Sequence, residues 1–284
     1  LCLLLSMINL VARIQSPGKP FTDPLLATQF WRDMRRRFPN VVASVLMHNH
    51  LHLLLPEEAD LNIAHRPLKS LTRSSALDWE PIPNPEKIRD PKHGRRQIRY
   101  INLNPCRNSL CKDPLEWPWS TYRGYFGAIA RPWVPAHALA RAFGWKSVQN
   151  FLPWFHEYVS SDSTVCTSGT PVLKTNTLSG NQSFYHHPHL ERIREAVLAA
   201  SESTNEDILR ARSKIRKVVV HLASETGWTQ TGLLSRQLKC TPRFIQYCRK
   251  ESPDPSLLQA ARVCLGDRRI HPPQPMLDFV KREM

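Results

Sequence analysis

The segment Val45-Leu46-Met47-His48-Asn49-His50-Leu51-His52-Leu53-Leu54-Leu55-Pro56 constrains this chain more than any other. Two apolar runs, Val41–Met47 and a second ending at Leu55, flank the short His48-Asn49 turn. That pattern predicts a tight antiparallel hairpin, and Pro56, with no amide donor, closes it. Side chains alternate faces along a strand, so His50 and His52 project together while Leu51 and Leu53 project oppositely. The apolar flanks predict a central, buried strand, where an unpartnered imidazole is costly. Two imidazoles about 6–7 Å apart along one face can ligate one divalent metal. Two solvated or hydrogen-bonded histidines on an edge strand are the alternative.

The neighbouring elements predict the layer around this hairpin. Leu1–Ile14 reads as a strand, broken by the Ser16-Pro17-Gly18 turn. Pro24–Phe38 reads as a helix, with Leu26, Phe30, Met34 and Phe38 in one apolar stripe and Trp31 beside them. Strand, helix and hairpin together predict an α+β fold with an antiparallel sheet. The opening apolar run lacks the basic segment and cleavage site of a secretory signal. The first residue is Leu rather than Met, which points to an alternative start codon or a shortened N-terminus.

Further along, Arg95-Arg96-Gln97-Ile98-Arg99-Tyr100-Ile101-Asn102-Leu103-Asn104-Pro105 predicts a helix ending at Asn104 before the proline. Gln97, Tyr100 and Asn104 share one stripe, and Ile98 and Ile101 lie on another face suited to the sheet. A tyrosine set among arginines, one turn from an amide side chain, can be a nucleophile beside a metal ligand. It can equally be a core tyrosine with a polar tip.

Charge narrows the partners. The 284 residues carry 39 basic and 24 acidic side chains, a net of +15. Residues 1–150 contribute +10 and residues 151–284 contribute +5, so no single basic tail explains the excess. Such a balance points to a polyanion, nucleic acid before membrane, because no amphipathic basic helix with a lipid-facing stripe is visible. Ten glycines against 24 prolines leave little material for phosphate cradles, and no small-molecule cofactor is expected. Seven cysteines without a C-x-x-C pair favour a reducing, cytoplasmic setting, and a nucleic-acid partner there would associate the chain with the nucleoid.

Three motifs in order, M-H-N-H-L-H-L-L-L, R-Y-I-N-L-N-P-C-R and D-P-L-E-W-P-W-S-T-Y (Asp113–Tyr122), resemble the single-tyrosine HUH transposases, closest to the REP-associated tyrosine transposases. The resemblance covers roughly residues 20–130 and implies a ferredoxin-like domain with the His-hydrophobic-His pair on a central strand. It implies that His50 and His52 ligate Mg²⁺ or Mn²⁺, that Tyr100 is the nucleophile, and that Asn104 is the third ligand. The implied reaction cleaves and rejoins single-stranded or hairpin DNA through a 5′-phosphotyrosine. Arg95, Arg96, Arg99 and Arg107 then become candidates for holding phosphates. His48 stands where the family has proline, and can be an extra ligand, a base for Tyr100 or a turn residue. Thr72–Asp90 lacks the Gly-x-x-Trp and Arg-Phe segment that the family carries before its tyrosine helix. A catalytically reduced, sequence-specific DNA-binding protein or a helix-turn-helix regulator on the same scaffold is the alternative reading.

The domain limits expected are 1–130 for the HUH domain, 131–190 for a Trp-containing connector and Ser/Thr-rich linker, and 191–284 for a small all-α domain. Trp117, Trp119, Trp133, Trp145 and Trp154 can stack on unpaired bases or pack the chain between the two halves. Tyr185-His186-His187-Pro188-His189 reads as a solvated loop or a stray metal site. In the C-terminal part, Thr204–Asp207 reads as a helix cap followed by the stripe Ile208, Ile215, Val219 and Leu222. Leu233–Leu238 then reads as a short helix and Pro242–Lys250 as a basic one, a helix-turn-helix pattern. It nominates Arg243, Gln246, Arg249 and Lys250 for duplex DNA. A small helical bundle for packing is the alternative, and a homodimer is compatible with either.

Overall fold

A computed structural model describes residues 7–15, 19–56, 79–81, 84–166, 188–203 and 213–273 of the protein. The fold is α+β. The described residues form two compact units. One holds the residues up to Tyr125 with those from Pro132 to Cys166, and the other holds Phe126–Arg131 with those from Pro188 to Pro273.

The first unit is built on a four-stranded antiparallel sheet in the order β2-β3-β1-β4. The strands are β1 (Met7–Arg13), β2 (Ala43–Leu46), β3 (His50–Pro56) and the two-residue β4 (Glu86–Lys87). With α1 (Pro24–Arg37) between β1 and β2, this is the strand order of a ferredoxin-like sheet. β3 is central: it pairs with β2 on one side and β1 on the other, with Val45 and Val11 both opposite His52. Leu51, Leu53, Leu54 and Leu55 are all buried, so both faces of β3 are covered, as expected for a continuous apolar run. The hairpin closes through the Met47 amide, which donates to the His50 carbonyl at 2.7 Å.

The tyrosine-bearing helix α2 spans Pro91–Arg107 and packs on β2. Asp90 caps it by accepting from the His93 amide at 2.7 Å. The expected end at Asn104 is corrected, because Pro105 lies inside the helix. A proline removes its own donor and crowds the preceding turn, and here both effects fall at the end of the helix. The chain then closes with Ser109 in the left-handed region at φ 55° and the Leu110 amide bonded to the Pro105 carbonyl. The predicted faces hold: Ile98 and Ile101 are fully buried, whereas Tyr100 is 40% exposed.

The third motif seals the open edge of β2. Asp113 caps a single turn by accepting from the Leu115 amide, and the chain then runs alongside β2. Leu46 donates to the Trp119 carbonyl, the Thr121 amide donates to the Ser44 carbonyl, and Trp117 Nε1 donates to the Leu46 carbonyl. Unpaired edge groups of a sheet demand such cover. Behind it lie α3 (Tyr122–Tyr125), α4 (Ala136–Ala142) and α5 (Val148–Ser160). The indole N–H groups of Trp119 and Trp133 bond to Thr28 Oγ1 and the Phe38 carbonyl, so both rings serve the core. Trp145 and Trp154 join Phe143, Phe151 and Phe155 in an aromatic cluster on α5.

The second unit, among the described residues, is all helical: α6 (Leu190–Ser201), α7 (Lys214–Glu225), α8 (Thr231–Gln237), α9 (Pro242–Lys250) and α10 (Pro255–Gly266). α7 begins at Lys214 because Ser213 caps it, accepting from the Ile215 amide at 3.2 Å. The expected cap at Thr204–Asp207 and the residues Tyr185–His187 lie outside the described residues. Among the described residues no helix is long and apolar enough to cross a membrane.

Arg123, 1% exposed, braces the third motif, its guanidinium donating to the Leu115 and Glu116 carbonyls at 2.7 and 2.8 Å. Arg123→Met leaves both carbonyls without these donors and is expected to cost about 2–4 kcal/mol. A shift of the urea unfolding midpoint reads this, and an unchanged midpoint refutes it.

Candidate active site

The site forms where the imidazole face of β3 meets α2. His50 and His52 stand side by side, ring centroids 5.1 Å apart and nearly perpendicular. Asn104 Nδ2 lies 2.8 Å from His52 Nε2, joining helix to strand across 52 residues of sequence. Asn108 Nδ2 donates to Asn104 Oδ1 at 2.7 Å and so fixes the amide. Tyr100 lies one turn earlier on α2, its ring centroid 5.7 Å from that of His52.

The hydrogen bonds define the tautomers. Asn104 Nδ2 donates to His52 Nε2, which places the lone pair there and the proton on Nδ1, a buried atom with no hydrogen-bond partner among the described residues. Asn49 Oδ1 sits 2.8 Å from His50 Nδ1 and accepts its proton, which leaves His50 Nε2 as the second lone pair. Burial holds both rings neutral. It lowers His50 to about 4, with Arg13 and His48 adding to the effect, and His52 to about 3, with His50 and Arg13 adding to it. Two neutral imidazoles at this spacing suit one divalent ion with metal–nitrogen bonds of about 2.1 Å. Among the described residues no group of three His, Cys, Asp or Glu side chains could hold a metal, and the side chain that lies against the histidine pair from α2 is the Asn104 amide. His48 is buried and packs on Trp117 at 5.4 Å between centroids, which makes it part of the hairpin's packing.

The arginines divide. Arg107 lies over the Tyr100 ring at 5.5 Å and pairs with Asp162 at 2.8 Å. Arg99 reaches the same carboxylate at 3.7 Å, donates to Ser161 Oγ at 3.3 Å and covers the Tyr158 ring at 5.1 Å. Asp162 itself is held down to about 2, chiefly by the Thr164 hydroxyl, with Arg107 contributing. Arg96 is exposed and Arg95 half-exposed on α2. On α9, Arg243, Gln246 and Lys250 are exposed, whereas Arg249 turns inward.

Three contributors escaped the sequence reading. Asn49 and Asn108 had a signal, one adjacent to His50 and the other four residues after Asn104. Asp162, 55 residues beyond Arg107, had none.

The depressed histidines make stability depend on pH with a definite sign. Both groups bind fewer protons folded than unfolded, so their contribution is complete above the ordinary value of 6.5 and is lost as pH falls from there toward 4. Each histidine contributes a slope of up to about 1.4 kcal/mol per pH unit in that window. Urea midpoints measured between pH 7.5 and 4.5 are expected to fall steeply, and the double replacement His50→Gln, His52→Gln to flatten the fall. Parallel profiles for the two proteins contradict the assignment.

No protein-family model matches the chain. The chain is 31% identical over 86 residues to the REP-associated tyrosine transposase of Escherichia coli (strain K12), a match covering 28% of this chain and 52% of that protein. The chain thus spans about half the length of the curated relative it matches. A solved structure of the REP-associated tyrosine transposase bound to a REP hairpin aligns with 41% of this chain and 76% of its own, at a TM-score of 0.35 and 23% identity. Over those 86 residues this chain is similar to a REP-associated tyrosine transposase.

Proposed function

We propose that the sheet unit cleaves and rejoins single-stranded DNA through Tyr100, as a transposase-type strand transferase. The observation that carries this reading is the meeting of an exposed tyrosine with two neutral histidines and a buried amide at one place. The similarity to a tyrosine transposase supports the same chemistry.

His50 Nε2, His52 Nε2 and Asn104 would hold Mg²⁺ or Mn²⁺, which supplies positive charge against the scissile phosphate and its leaving oxygen. Holding the ion through its oxygen would cost Asn104 its present bonds to His52 and Asn108. Tyr100 Oη attacks phosphorus in line and loses its proton to solvent. The P–O3′ bond breaks and the leaving oxygen takes a proton from solvent, leaving a 5′-phosphotyrosine and a free 3′-OH. Attack of a 3′-OH on that phosphotyrosine reverses the step and frees the tyrosine. Arg107, beside the ring, attracts the phosphate to the nucleophile, and Asp162 keeps its guanidinium there. Arg95 and Arg96 lie on the same helix, where they can hold flanking phosphates.

A protein that binds DNA without cutting it is the second reading. One observation favours it: Asn104 offers its amide nitrogen, not its oxygen, to the histidine pair.

A covalent-adduct assay separates the two. Labelled single-stranded hairpins are incubated with protein and Mn²⁺, denatured and run on a gel. A labelled protein band is expected, abolished by Tyr100→Phe and by His50→Ala. Asn104→Ala is expected to lower the yield about 10–100-fold. Native binding without a band on any of a broad hairpin pool establishes the second reading instead.

A further inference from the structure

We propose that the helical unit reads duplex DNA in the major groove through the outward face of α9. This goes beyond the single-strand chemistry proposed for the sheet unit and does not depend on it.

The geometry comes first. α7, α8 and α9 follow one another, with α9 packed on both α7 and α8. The connection from α8 to α9 is the short turn 238–241, in which Lys239 takes the left-handed conformation at φ 49°. Thr241 caps α9 by accepting from the Phe244 amide at 3.2 Å, and Pro242 occupies its first turn. A short helix, a tight turn with one left-handed residue and a second helix form the arrangement that presents a recognition helix to DNA. α9 has nine residues, a length of about 13 Å, which suits a major groove about 12 Å wide.

The faces of α9 then separate by chemistry. Ile245 and Cys248 are fully buried against the unit. Arg243, Gln246, Tyr247 and Lys250 are exposed, and they fall at i, i+3, i+4 and i+7, one stripe of the helix. Arginine pairs with guanine edges and glutamine with adenine edges, so this stripe offers direct base readers. Tyr247 is 48% exposed, with Lys217 Nζ 4.8 Å from its ring centroid and 3.3 Å from its hydroxyl. Residues 213–250 contain eight basic side chains (Lys214, Arg216, Lys217, Arg236, Lys239, Arg243, Arg249, Lys250) and one acidic, Glu225, a net of +7. Lys214, Arg236 and Lys239 are exposed and available to phosphates.

Arg249, nominated from the sequence as a DNA contact, has a different place. Its guanidinium donates to Ser224 Oγ, Thr231 Oγ1 and the carbonyls of Trp228 and Thr229, at 2.8–3.0 Å. It ties the end of α7, the α7–α8 loop and the start of α8 to α9, which fixes the angle at which α9 is offered. Arg216, also buried, donates to the Leu238 carbonyl at 3.4 Å and lies over the Phe244 ring.

The test uses the full chain in EDTA, so that metal-dependent cutting cannot interfere. A random double-stranded pool is put through binding selection, and the selected duplex is compared with a random duplex of equal length by fluorescence anisotropy. The selected duplex is expected to bind at least 10-fold tighter. Arg243→Ala and Gln246→Ala, both on the exposed stripe, are expected to remove about 10-fold or more of that preference without changing the yield of hairpin adduct. Lys250→Ala is expected to weaken both duplexes alike and to reduce the salt slope by about one. Failure to select any preferred duplex overturns the proposal, as does a preference that survives both Arg243→Ala and Gln246→Ala. Loss of the adduct with duplex preference intact overturns only the reading of the sheet unit.

Discussion

Burying His52 on the central strand is the constraint around which the first unit is organised. The ring is 5% exposed and lies between two strands, with α2 packed over it. Protonation there is strongly disfavoured, so the ring stays neutral and its Nε2 lone pair needs a partner. Asn104 provides one, and an amide on a buried helix face can reach it only if α2 holds its register against the sheet. Ile98 and Ile101 set that register by packing, and Asn108 holds the amide plane from the next turn. Tyr100 is placed by the same register, exposed yet within 5.7 Å of the ring that anchors the helix. One polar contact therefore fixes Tyr100, the histidine pair and Asn104 together.

The third motif covers the outer edge of the hairpin. Its role is to make the hairpin rigid. β2 has only four residues, and its outer edge would expose unpaired backbone groups. Trp117, Trp119 and Thr121 close that edge through backbone and indole hydrogen bonds, and Trp117 also packs on His48 at the hairpin turn. The buried Arg123 locks the strut from behind. A histidine pair on a frayed hairpin would sample many geometries. On a hairpin sealed at both edges it samples few, which is what metal binding and in-line attack require.

What the sequence disclosed follows from the range of each interaction. Alternation on β3 and the helical period of α2 are local, so the faces of His50, His52, Ile98 and Tyr100 were legible directly. The end of α2 was misread because proline acts on its own donor and on the preceding residue, and those rules do not exclude it from a final turn that other groups close. Asp162 was invisible because its meaning arises only when α5 delivers it to Arg99 and Arg107, more than 50 residues away in sequence.

The arginines show a further limit of reading charge from composition. A basic count suggests a surface for polyanions, yet several of these guanidiniums are engaged by the protein itself. Arg123 and Arg249 gather carbonyls and hydroxyls from separate segments, and Arg99 and Arg107 share one carboxylate. The planar, five-donor fork of arginine suits such multi-point bracing, whereas a lysine ammonium, strongly hydrated on a flexible stem, stays in solvent. Lys214, Lys239 and Lys250 are accordingly exposed, and the outward arginines Arg96, Arg236 and Arg243 stand on helix faces with solvent beyond them. The arginines free to meet a polyanion are therefore fewer than the basic count implies, and they stand on scaffolds that the engaged arginines hold in shape.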